Sequence, residues 1–89
     1  MNYKVIWNHG QLRRLAEVYM QLREEGGPAS DVTQAMNGAD QILAVNPKHV
    51  GESRSDEERV WYVPPLTITY EIHEEEKIVY VLRFHYAPR

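Results

Sequence analysis

The chain changes its hydrophobic period once, near Arg59, and that change constrains its fold more than any other feature. Before it, Leu12, Leu15, Tyr19 and Leu22, then Val32, Ala35, Met36, Ala39, Ile42 and Leu43, recur every three or four residues, as apolar side chains do along one face of an α-helix. After it, Leu66, Ile68, Tyr70 and Ile72 alternate with Thr67, Thr69 and Glu71, and Ile78, Tyr80, Leu82 and Phe84 alternate with Val79, Val81, Arg83 and His85. Two amphipathic helices followed by alternating strands predict an α+β domain, because an apolar sheet face needs one helical layer to cover it.

Local punctuation sets the boundaries. Tyr3–Trp7 is β-branched and aromatic and reads as a first strand, stopped by Asn8-His9-Gly10. Asn8 is placed to cap a helix over Gly10–Glu25, with Gln11 reaching back from three residues on. Gly26-Gly27-Pro28 ends that helix, and a second runs from Ser30 or Asp31 to near Val45, short of Pro47. Gly38 inside it reads as a close approach to a neighbouring helix. Pro47–Glu58 is polar and reads as an exposed loop, a candidate for regulation or substrate contact. Arg59–Val63 makes a short strand stopped by Pro64-Pro65, and Leu66–Ile72 and Lys77–Tyr86 form a hairpin across His73–Glu76. The order is β-α-α-β-β-β. One domain spans residues 1–89, an αα-hairpin packed on one face of a small, mainly antiparallel sheet of about four strands.

The hairpin pattern also marks a face for chemistry. If Ile72 lies opposite Ile78 and Leu66 opposite Phe84, the apolar faces stay together, Thr67 meets Arg83, and His85 stands beside them on the uncovered side. Arginine offers fixed donors to a phosphate, histidine moves protons near neutral pH, and threonine adds hydroxyls.

Composition limits the alternatives. Ten Lys and Arg against thirteen Asp and Glu leave a net charge of −3, so any nucleic-acid contact has to rest on a local patch. The absence of cysteine excludes disulfides and thiolate metal sites and fits a cytoplasmic protein. No apolar run approaches the ~20 residues that cross a bilayer, so no membrane partner is expected. His9, His49, His73 and His85 lack a recurring ligand spacing, and no glycine-rich phosphate loop or nucleophile elbow is present. Neither a metal nor a cofactor is expected.

The element order, the segment Leu66-Thr67-Ile68-Thr69-Tyr70-Glu71-Ile72 and the ending Val81-Leu82-Arg83-Phe84-His85-Tyr86 resemble the RelE/ParE superfamily of bacterial toxins. Arg83-Phe84-His85-Tyr86 is similar to the ending of the YoeB branch of ribosome-dependent mRNA interferases. Gly51 and Arg59 sit where members often carry a glycine and an arginine. The resemblance implies the toxin of a type II toxin–antitoxin module, with a cognate antitoxin as partner, and metal-free cleavage of mRNA on the ribosome. On the matching positions Arg83 would support the phosphate, His85 would act as acid or base, and Tyr86 would place substrate or pass a proton, with Arg59 as a substrate contact; Thr67, beside them in the hairpin register, is a further candidate substrate contact. Thr67 stands where that branch carries an arginine, and Glu71 faces the site without matching its acidic residue. ParE-type relatives instead inhibit DNA gyrase, which implies a non-enzymatic toxin or interaction module as the alternative.

Overall fold

The computed structural model describes residues 2–55 and 57–88. Strand β1 (Lys4–Trp7) leads into helix α1 (His9–Glu24), helix α2 (Ala29–Leu43), and strands β2 (Glu52–Ser53), β3 (Glu58–Val63), β4 (Leu66–His73) and β5 (Ile78–Tyr86). Asn8 caps α1 as expected, its side chain accepting from the Gln11 backbone N–H. Gln11 does not reach back to complete a capping box. The Asn8 N–H already donates to the Val81 carbonyl at 2.9 Å, and the Gln11 side chain serves β5 instead.

Both helices lie against one face of a five-stranded sheet ordered β1-β5-β4-β3-β2. The core joins Leu15 of α1 and Val32, Ala35, Ala39 and Leu43 of α2 to Trp7, Leu66, Ile68, Tyr70, Val79, Val81 and Phe84 of the sheet. Trp7 also donates its indole N–H to Asp40 on α2 at 2.6 Å, fixing the edge strand to the helical layer. Both apolar stripes therefore do the work their period implies, though Leu12 and Ile42 stay substantially exposed. Gly38 is not a close contact: a Cβ built there meets nothing within 4 Å.

Of the expected Pro47–Glu58 loop, in which Asp56 lies outside the described residues, most positions are exposed as expected, but part of it is structured. Pro47 is fully buried, and β2 adds a fifth strand to the expected four by pairing antiparallel with β3. Gly51 makes this possible, with φ +70 and a would-be Cβ 2.7 Å from the Val60 carbonyl, an approach that only glycine permits. Arg59 clamps the same segment, donating Nε to the Val50 carbonyl (3.0 Å) and a terminal N–H to that of Gly51 (3.1 Å). Beneath it the Tyr70 hydroxyl shares its proton between the carbonyls of Pro47 (2.7 Å) and Val50 (2.8 Å).

The β4–β5 register differs from the expected one. Ile72 pairs with Val79 and Leu66 with Tyr86, and between the pairs Tyr70–Val81 and Thr69–Arg83 one extra residue, Leu82, bulges out of β5. The bulge switches the parity of the strand. Val79 and Val81 point into the core before it and Phe84 after it, so Ile78 and Tyr80 lie on the open face where the alternation had placed them inside. Thr67 consequently stands opposite His85, and Thr69 opposite Arg83.

Candidate functional site

On the open face β5 presents Arg83 and His85, β4 presents Thr67, Thr69 and Glu71, and β3 presents Glu58, Val60 and Tyr62, since directly paired residues share a side of the sheet. The bulge is what keeps Arg83 and His85 outward despite a register that slips by one at the turn end. Both side chains are exposed.

The backbone under them is held from the helical layer. β1 stops at Trp7, so among the described residues the outer edge of β5 has no strand neighbour from there on. Two α1 side chains take the place of a strand: the Gln11 amide oxygen accepts from the Phe84 N–H at 3.1 Å, and Arg14 donates to the Phe84 carbonyl at 3.3 Å. Arg14 also donates to Gln11 at 3.0 Å and lies 4.4 Å over the Phe84 ring, closing the clamp.

The five residues singled out from the sequence do not converge. Arg83, His85 and Thr67 share the open face. Tyr86 is on the other side of the strand, half-buried beside Val18, Gln21 and Leu22 of α1. Arg59 lies on the covered side opposite Tyr70, with its guanidinium on the Val50 and Gly51 carbonyls. Arg83 has a partner that sequence reasoning missed: its guanidinium crosses β4 to Glu58 of β3, 3.0 Å from Oε1. The signal was present, because the tight turn at Pro64-Pro65 pairs Val63 with Leu66 and so sets Glu58 opposite Glu71.

Farther along the same face, Glu71 accepts from His73 at 2.9 Å, and Glu57 and Glu76 stand within 4.0 Å of that imidazole. The hydrogen bond to Glu71 raises the His73 pKa above its usual value. Glu74, in the turn, is bound by Lys48, Lys77 and the Tyr3 hydroxyl, which hold its pKa down to about 2. Among the described residues, no three His, Asp or Glu side chains converge as a metal site.

On the opposite side of the molecule, Leu12, Ala16, Tyr19 and Met20 of α1 and Thr33 and Met36 of α2 line an apolar groove between the helices. Met20 is 51% exposed there.

No family model and no curated protein matches the sequence. Solved structures match its shape. A chain of the toxin–antitoxin complex RelBE2 from Mycobacterium tuberculosis superposes with a TM-score of 0.77 at 17% identity, over 100% of this chain and 95% of that one. A chain of the chromosomal ParDE toxin–antitoxin system from P. aeruginosa gives 0.74 at 16% identity, over 96% of each. A chain of the archaeal RelE-RelB complex from Pyrococcus horikoshii gives 0.64 at 11% identity, over 100% of this chain and 99% of that one. At these identities the likeness is one of fold, and the fold is the RelE/ParE type.

Proposed function

We propose that this chain is the toxin of a type II toxin–antitoxin pair and that, free of its antitoxin, it acts by binding a target rather than by cutting RNA. The shared fold supports the first half of this reading. One observation carries the second: the residues that cleavage would need are divided between the two sides of the sheet, and Arg83 is already engaged by Glu58. Cleavage through the ribose 2′-hydroxyl requires a proton acceptor, a proton donor for the leaving oxygen and cationic support for the phosphate, all around one phosphate. Tyr86 faces α1 and cannot join His85 there. Inhibition by binding, as the resemblance to ParE-type gyrase inhibitors implies, needs a shaped surface and no such convergence.

The antitoxin is the product of the neighbouring reading frame, and the groove between α1 and α2 offers it an apolar seat for an amphipathic helix. Expression of the free chain is expected to arrest growth with mRNA intact, and co-expression of the antitoxin to restore it. Met20→Asp should weaken the complex roughly tenfold or more, as loss of an apolar anchor does. Supercoiling by purified DNA gyrase is the first target assay. Ribosome-dependent cuts in mRNA would overturn the binding mode.

A second reading, a weakened interferase acting on the ribosome and its mRNA, is favoured by one specific placement: His85 opposite Thr67 and Arg83 opposite Thr69 bring a proton carrier and a cation to adjacent positions of one face. Thr67→Arg separates the two. The new guanidinium would stand across from His85, one pair along from Arg83, with no core packing disturbed. Under this second reading, cleavage of mRNA on programmed ribosomes rises, and adding His85→Ala removes about 10²-fold of it. Under the binding reading the folded variant cuts nothing.

A further inference from the structure

Arg83 rises from β5 opposite Thr69, and β4 lies between it and β3, yet its guanidinium ends on the Glu58 carboxylate 3.0 Å away. The contact ties together the two strands that flank β4 on the open face. Glu58 is the more sheltered partner, its side chain 28% exposed against 57% for Arg83. Thr69 beneath is buried although it faces the open side. Glu71 stands directly opposite Glu58 in the strand pair and adds a second carboxylate to the same face, its Oε1 on His73 at 2.9 Å.

A guanidinium so placed is a ready anion receptor with its anion supplied from within the chain. An incoming phosphodiester has to displace Glu58 and then remain beside it and Glu71, with like charges juxtaposed in a partly shielded site. We propose that Glu58 is a specificity-determining residue: it fills the anion site of Arg83 and bars nucleic acid from the open face, leaving that face to a protein partner that brings neutral or basic groups to this point. The idea rests on the binding reading above and names what makes the face selective.

The test measures binding of a short fluorescein-labelled single-stranded RNA to the free chain by fluorescence anisotropy at low salt. Glu58→Gln keeps the shape and a hydrogen-bonding oxygen while removing the competing charge. It is expected to bind RNA about tenfold more tightly than the native chain, with a gain that fades as salt rises. Glu75→Gln, the same charge change on the exposed turn, is expected to give no comparable gain, and Glu58→Gln combined with Arg83→Gln is expected to lose it. Equal RNA affinity in the native chain and Glu58→Gln, an equal gain from Glu75→Gln, or a gain that survives Arg83→Gln would each overturn the proposal. Thermal melts establish that every variant is folded before binding is compared. A native chain that cuts mRNA while Glu58→Gln still gains RNA affinity would refute the binding reading alone, and growth arrest with no gain would refute the role of Glu58 alone.

Discussion

Gly38 and Gly51 occupy opposite physical situations. Gly38 sits inside α2 with φ in the ordinary range and open space where a Cβ would be, so Gly38→Ala removes backbone freedom from the unfolded chain and meets no clash. It should raise stability by about 1 kcal/mol, read from the urea midpoint. Gly51→Ala should lower it by at least about 1–3 kcal/mol, because the left-handed backbone and the Val60 carbonyl both resist a side chain. Sequence identifies both glycines but not the space around them. A helix-interior glycine invites the thought of a close contact, and only the surroundings show there is none. Tyr70 gives a third residue-scale expectation. Its hydroxyl is the buried tie between the sheet and the 47–51 segment, and Tyr70→Phe should cost about 0.5–1.5 kcal/mol, with faster amide exchange confined to that segment.

At the scale of elements, β5 shows what alternation reveals and what it hides. The period of two located the strand. Its phase was illegible, because Ile78, Tyr80 and Leu82 are as apolar as Val79 and Val81, and both sets offer a plausible inner face. Only Arg83 and His85 fixed the phase, and they fixed it correctly for the half of the strand they occupy. The extra residue that reconciles the halves carries no sequence signature, nor does β2, two polar residues that pair because Gly51 and Arg59 shape the chain before them. The bulge makes a deletion test possible. Removing Leu82 should leave a regular ladder with Val81 and Phe84 still inward, whereas removing Val79 should empty part of the core, so the first variant should be folded and the second largely unfolded by circular dichroism. The β4–β5 turn has its own pH window. His73 has a raised pKa, so its contribution is complete below about 6.5 and is lost as pH rises through the shifted value. Glu74 has a lowered one, so its contribution is present above about 4.5 and is lost as pH falls toward 2. Stability should therefore form a plateau between these limits, with His73→Gln flattening the alkaline side and Glu74→Gln the acid side.

Over the whole molecule, extents of 42 × 21 × 20 Å and a net charge of −3 describe an elongated, weakly acidic body with two dissimilar faces, a polar strip on the sheet and an apolar groove on the helices. The layering and the open sheet face were legible in the sequence from the two periodicities, but the groove was not, since Leu12 and Tyr19 read there as core. Nor was the order of strands. β1 lies parallel beside β5, Lys4 against Ile78, and no local pattern announces a partner so distant along the chain. This order sets a timetable for synthesis. Of these five strands the first translated has its neighbour in the last of them, and that late strand fills the gap between β1 and β4. While the ribosome is still reading toward Ile78, β1 has nothing to pair with and β4 keeps one bare edge, so the strand that joins β1 to the rest of the layer is missing. A product halted before β5 is thus no feebler copy of the whole but a sticky, unclosed chain for proteases and chaperones to clear.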